Sequence, residues 1–140
     1  NRPQSIEIDR DARELVITDA CNHRLGRFTL DGELIAWIGS PEEDIFRYPY
    51  GLVLLGNRQA LVAEFGGNRL SLVDLDAGTV VRTLGIPGRE PGQLASPWGL
   101  AAIDGEVFVL DSSNNRIQVI RAPAPPQPRY AAPERNAAGS

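Results

Sequence analysis

The sequence predicts an all-β chain built from about three successive copies of one four-stranded antiparallel unit, the third copy lacking a clear fourth strand. Three observations predict it. A proline recurs at Pro3, Pro49 and Pro97, spaced 46 and 48 residues apart. An arginine recurs at Arg24, Arg69 and Arg116, spaced 45 and 47 apart, each followed by an aliphatic residue, Leu25, Leu70 or Ile117. Five residues before each arginine stands an acid: Asp19, Glu64 and Asp111. Registers that agree at a fixed period identify a repeated supersecondary unit that buries its faces against neighbouring copies.

Each unit opens just past its proline with an apolar run: Ser5 to Ile8, Leu52 to Leu55, Leu100 to Ile103. A second run ends at the acid: Leu15 to Thr18, Ala60 to Ala63, Val107 to Leu110. These runs are short and rich in β-branched or aromatic residues, and turn clusters follow them (Ala20-Cys21-Asn22-His23, Phe65-Gly66-Gly67-Asn68, Ser112-Ser113-Asn114-Asn115), which is the pattern of strands bounded by turns. A third run follows the arginine: Leu25 to Leu30, Leu70 to Leu75, Ile117 to Ile120. Asp31-Gly32 and Ala77-Gly78 then predict tight turns into a fourth run, Leu34 to Ile38 and Val80 to Leu84, which the third unit lacks. Four antiparallel strands in about 46 residues make one propeller blade. The expected blades are 3–46, 47–94 and 95–121, so that 1–121 is the ordered body. The remainder, 122–140, is Pro- and Ala-rich and predicts an extended or disordered tail, because proline lacks the amide hydrogen and fixes φ.

Composition narrows the function. The chain has 140 residues and a net charge of −4, with no lysine, no methionine, one cysteine and one histidine. An acidic body repels a phosphate backbone, which argues against nucleic acid as a partner. No apolar run is long enough to span a membrane. One cysteine forms no internal disulfide, and one histidine builds no metal site alone. The missing methionine and the absence of an apolar leader predict a processed or excerpted chain.

The recurring residues have a structural reading. An acid facing an arginine across a turn pins the hairpin register, and can do so through two parallel hydrogen bonds. Asn22 and Asn114, between the two, can satisfy loose backbone groups. A ring of Asp19, Glu64 and Asp111 could also hold a cation, but recurrence in every unit favours structure. The Asp19, Cys21 and His23 triple contains ligating types, yet the equivalent positions in the other units supply no second soft ligand, and a zinc site needs three or four. Gly85, Gly88 and Gly92 lack the Lys-Ser/Thr of a phosphate loop. No Ser stands in a G-x-S-x-G elbow. No catalytic residue, metal ligand or cofactor is therefore assigned. The aromatics Phe46, Tyr48, Tyr50 and Trp98 cluster at blade starts, where they either pack between blades or anchor a partner; Tyr48, Tyr50 and Trp98 are the candidate interaction residues.

The motif D-x-x-N-x-R, in Asp19-Ala20-Cys21-Asn22-His23-Arg24 and in Asp111-Ser112-Ser113-Asn114-Asn115-Arg116, resembles the NHL-repeat family of β-propellers. The linker Gly85 to Leu94 leading to Pro97-Trp98-Gly99-Leu100-Ala101 also resembles that family's inter-blade segment. The second unit departs, with Glu64 for Asp and Gly67 for Asn, and its stretch from Asn68 to Val81 is similar to YVTN-type propeller repeats as well. The resemblance implies a non-catalytic protein-interaction scaffold or accessory subunit, of a bacterial and periplasmic or extracellular kind. Its open edges would be completed by self-association, by a partner such as a larger complex, or by further chain. The alternative it implies is a fragment of a metal-dependent lyase- or lactonase-like propeller enzyme whose active-site residues lie largely outside this segment.

Overall fold

A computed structural model describes residues 1–122, and the tail expected beyond Ala122 lies outside the described residues. The first blade is a four-stranded antiparallel sheet, β1 (Pro3–Asp9), β2 (Glu14–Asp19), β3 (Arg24–Thr29) and β4 (Leu34–Ile38), in that spatial order. The second repeats it with β5 (Pro49–Gly56), β6 (Gln59–Glu64), β7 (Arg69–Asp74) and β8 (Thr79–Leu84). A two-residue parallel pair, β9 (Ile86–Pro87) with β10 (Gln93–Leu94), ties the linker together. The third blade has three strands among the described residues, β11 (Pro97–Ile103), β12 (Glu106–Asp111) and β13 (Arg116–Arg121). The turn between β11 and β12 holds Asp104 and Gly105 at φ 49° and 79°, the paired left-handed geometry whose twist matches a two-residue hairpin.

The first strands of successive blades lie side by side, β1 by β5 and β5 by β11. The side-chain period of two then assigns every core residue. In the middle blade Leu52, Ala60, Val62, Val73 and Leu75 face the first blade, and they pack with Val16, Leu25, Ile38 and Phe46. The alternate residues Val53, Leu61, Ala63, Leu70 and Leu72 face the third blade, against Leu94, Val107 and Val109. Every residue of β6 is consequently buried. Each fully buried Val, Leu or Ile side chain among these contributes about 1.5–3 kcal/mol relative to exposure, so the stability resides in the two junctions between blades.

One junction demands a glycine. A Cβ on Gly51 of β5 would stand 2.7 Å from the Trp98 carbonyl oxygen and 3.0 Å from the Leu100 amide nitrogen. Both are backbone atoms of the next blade, so the strands approach this closely only because residue 51 has no side chain.

Candidate interaction surfaces

Each repeated acid is the centre of a latch. Its partner arginine stands directly opposite on the neighbouring strand, as Asp19 with Arg24, Glu64 with Arg69 and Asp111 with Arg116. The arginine Nε donates to the carboxylate at 2.8 Å in all three. The second carboxylate oxygen accepts from the residue two before the proline: the Arg47 N–H at 2.8 Å, the Ala95 N–H at 2.8 Å, and the Asn1 amino group at 2.5 Å. One side chain thus ties the hairpin to the segment that enters the blade. The paired, two-bond geometry expected of the arginines occurs only at Arg69, whose Nη2 reaches the second oxygen at 3.2 Å. The longer glutamate makes that reach possible. Asn22 and Asn114 donate to the carboxylates of Asp19 and Asp111 at 3.0 and 2.9 Å. In the middle blade Ser71 donates to Glu64 instead, and Gln118 adds a bond to Asp111 at 3.0 Å.

The carboxylates of Glu64 and Asp111 are fully buried and that of Asp19 nearly so. Burial opposes ionisation of Asp111, but the bonds from the Ala95 amide, Asn114, Arg116 and Gln118 outweigh it and hold its pKa below the usual carboxylate range. Asp19 is shifted the same way, burial being outweighed by the Asn1 amino group, Arg24 and Asn22. Each acid faces its own hairpin; among the described residues no three His, Cys, Asp or Glu side chains converge as a metal site would require. Cys21 is partly buried.

A second latch joins one blade to the next. The Tyr48 N–H donates to Nδ1 of His23 at 3.1 Å, and the Ser96 N–H donates to Oδ1 of Asn68 at 2.8 Å. Both acceptors precede the repeat arginine, both donors precede the repeat proline, and all four residues have φ between 50° and 53°. The histidine therefore serves as a turn acceptor, and its ring also meets Tyr48 edge-on at 4.4 Å.

At the opposite end of the blades an ionic network crosses the first junction. Arg58, in the turn before β6, donates to Asp9 at 2.8 Å, to Glu14 at 2.9 Å and to Asp76 at 3.0 Å. Arg27 grips the same Glu14 through two bonds, at 2.7 and 3.0 Å. The bonds from Arg27, only partly offset by burial and supported by Arg58, hold the Glu14 pKa below its ordinary value. The Ala12 amide does most to lower that of Asp9, against burial and with help from Arg58. Lowered carboxylate pKa values stabilise the fold above the unfolded-state pKa, and that stability is lost as protons bind on acidification. It is fully present above the unfolded-state values, at about pH 5, and drains as the pH falls through the lowered native-state values. We expect Arg58→Ala to cost about 1–3 kcal/mol at neutral pH. The deficit should shrink on acidification, as measured by urea unfolding at stepped pH; a pH-independent deficit would contradict the ionic account.

Two apolar faces remain at the ends of the arc. On the first blade Ile6, Ile8, Leu15, Ile17, Phe28 and Trp37 share the face turned away from the middle blade. On the third, Ala101, Ile103, Phe108, Leu110, Ile117 and Val119 do so. Ile6 and Ile117 are 61% and 64% exposed, whereas Leu52 and Leu70 at the matching repeat positions of the middle blade are each 2% exposed. Contiguous exposed aliphatics of this kind mark a contact surface. The outer edge of β13, where the fourth strand would pair, is also uncovered among the described residues.

The sequence-predicted aromatics separate in space. Phe46 is buried in the first junction. Tyr50 stacks on Phe65 at 4.6 Å, and Trp98 meets both edge-on at 5.1 and 5.6 Å while leaving about half its surface to solvent. Tyr48 is exposed beside His23, so Tyr48, Tyr50 and Trp98 do lie at the blade starts on the latch end. The network around Arg58 and the His23/Asn68 latch were not foreseen from sequence. Their one visible signal is an Arg before the second strand in the first two blades, and a polar acceptor before every repeat Arg.

The NHL repeat family matches residues 94–120. Solved structures share the architecture. A streptogramin B lyase superposes with a TM-score of 0.65 at 16% identity, covering 86% of this chain and 37% of the lyase chain. A chain of a nidogen/laminin complex gives 0.66 at 16% identity, with 85% and 43% covered. A structural genomics protein of unknown function from Bacteroides thetaiotaomicron gives 0.69 at 16% identity, with 84% and 34% covered. The chain therefore spans less than half the length of these structures. No curated protein matches the sequence.

Proposed function

We propose that this chain, an NHL-type segment of β-propeller, is a non-catalytic interaction scaffold or accessory subunit, completed into a ring by blades that cover its two end faces. The observation that carries this reading is the contrast between repeat-equivalent positions. Side chains buried in the middle blade are aliphatic and exposed at both ends of the arc. A blade buries its faces only against neighbouring blades, and apolar faces left open are prone to association. The aromatic group of Tyr48, Tyr50 and Trp98 supports a further contact on the latch end, since half-exposed aromatic clusters are the usual anchors of protein interfaces. We place the protein in the periplasm or outside the cell.

The test is the mass of the native particle and the identity of what accompanies it. Native mass spectrometry of gently isolated protein should show an assembly heavier than the 15.2 kDa chain. Trp98→Ala should preserve the far-ultraviolet circular dichroism, because the residue is half exposed, while weakening capture of any second protein. A lone monomer whose surface binds nothing would count against the scaffold. The enzymatic alternative, in which this segment belongs to a lyase-like ring, draws its support from the streptogramin B lyase likeness, which is one of fold.

A further inference from the structure

We infer that the junction between the first two blades carries an acid-sensitive latch, in which protonation of His23 releases the β2–β3 turn from the segment that enters the second blade. The latch is the bond from the Tyr48 N–H to Nδ1 of His23 at 3.1 Å. A neutral imidazole accepts at Nδ1 only while its proton sits on Nε2, and an imidazolium donates from both nitrogens and accepts at neither. One added proton therefore turns the acceptor into a second donor facing the Tyr48 N–H. Imidazole is also the side chain whose ordinary pKa puts its change of charge between about pH 5 and pH 8.

The second junction has the same latch without the titrating group. There the Ser96 N–H donates to Oδ1 of Asn68 at 2.8 Å. The two pairs share their left-handed backbone, with His23 and Asn68 at φ 52° and 53° and Tyr48 and Ser96 at 51° and 50°. Nδ1 of histidine and Oδ1 of asparagine are both bonded to Cγ, so either side chain brings an acceptor to the same place. An amide does not titrate, so of these two latches the one at His23 responds to acid.

The bonds around Tyr48 decide which side lets go. The Arg47 N–H donates to Glu64 at 2.8 Å, the Gly66 N–H to the Arg47 carbonyl at 3.0 Å, and the Phe65 N–H to the Tyr48 carbonyl at 2.9 Å. None of these depends on the histidine, so residues 47 and 48 stay on the second blade and the first blade's turn is the part that is freed. The Thr18 hydroxyl still donates to the Tyr50 carbonyl at 2.9 Å, and the apolar junction beneath is unchanged. Acid therefore loosens the latch end without parting the blades. The surrounding charges favour this outcome. On the histidine's own turn stand Cys21, Arg24 and Asp19, the last bonded to Arg24 and the Asn1 amino group. The linker brings Asp44, Arg47 and the Tyr48 ring, and the second blade's Glu64 and Arg69 hold that linker at the Arg47 amide and the Ile45 carbonyl. Bonds from Arg47 chiefly hold the Asp44 carboxyl below the usual carboxylate range, with smaller contributions from Arg69 and a positive His23. Asp44 thus keeps its charge across the histidine's range and is the acid placed to draw the imidazolium away from the Tyr48 amide.

The test follows the isotope-labelled full chain of 140 residues by nuclear magnetic resonance, from about pH 8 to about pH 5. At the alkaline end the imidazole should carry its proton on Nε2, with a scalar coupling between the Tyr48 nitrogen and Nδ1 of His23. At the acid end that coupling should be gone. Protection of the Tyr48 amide, measured against its unstructured exchange rate, should fall about fivefold or more over the interval, while that of Ser96 changes by less than about twofold. His23→Asn installs the acceptor that the second junction uses, and should keep Tyr48 protected throughout. It leaves Asn1, Asp19 and Asp44 in place, so it isolates the imidazole from every other group that titrates nearby. His23→Phe keeps a ring beside Tyr48 but no acceptor, and should leave the amide poorly protected at both ends of the range. A proton on Nδ1 at the alkaline end would overturn the inference. So would a Tyr48 amide whose protection ignores pH in the parent chain, or one whose pH response survives His23→Asn.

Discussion

Glu64→Ala should lower the free energy of unfolding by about 3–5 kcal/mol, the range observed when one member of a buried ion pair is removed. The carboxylate is fully buried. It accepts from the Arg47 amide, from Arg69 twice and from Ser71. Alanine leaves an arginine, a hydroxyl and an amide without their acceptor in a site the backbone cannot collapse. Against a total of about 5–15 kcal/mol for a domain, such a loss moves the urea midpoint by more than about 1 M. Because the Arg47 amide belongs to the linker and Arg69 to the hairpin, both contacts fail together. Amide exchange of β5 and of the β6–β7 hairpin should therefore accelerate in parallel. A deficit below about 1 kcal/mol would place the stability of the blade elsewhere.

The same site shows what a sequence can and cannot disclose. The acid and arginine were legible because they stand five residues apart in every repeat and face each other in the register. The departure of the middle repeat, Glu for Asp and Gly67 for Asn, has its reason in the geometry. A Cβ at Gly67 would sit 3.0 Å from Glu64 Oε1, so the longer acid occupies the space that asparagine uses in the other two blades. The contacts of Arg58 with Asp9 and Glu14 join residues 49 and 44 apart in sequence, and no local spacing announces a partner at that distance. Nor could the faces of the middle blade be assigned in advance, since β6 is apolar on both sides and shows no alternation to read. The roles of the aromatics were equally hidden. Phe46 and Tyr48 are two residues apart, yet one is buried and the other exposed.

Phe46→Ala should cost about 3–5 kcal/mol, as large-to-small changes of buried aromatics do. Phe46 precedes β5 in the segment between the first two blades, is 1% exposed, and packs with Val16, Leu25, Ile38 and Leu75. It also lies against the chain at Gly39, where its ring would stand 2.9 Å from an added Cβ. The cavity left by alanine is bounded by two sheets whose spacing is set by their other contacts, so little of it can close. The loss should be local in a telling way. Stacked units are stabilised by their neighbours, and Phe46 belongs to the first junction alone. The second junction, built on Leu61, Leu70, Leu94, Val107 and Val109, shares no side chain with it. Hydrogen exchange of β1–β4 should therefore quicken well before that of β11–β13. A uniform increase across all three blades would mean that the arc opens as one cooperative unit, and that the junctions are coupled through β6 more strongly than their separate side chains indicate.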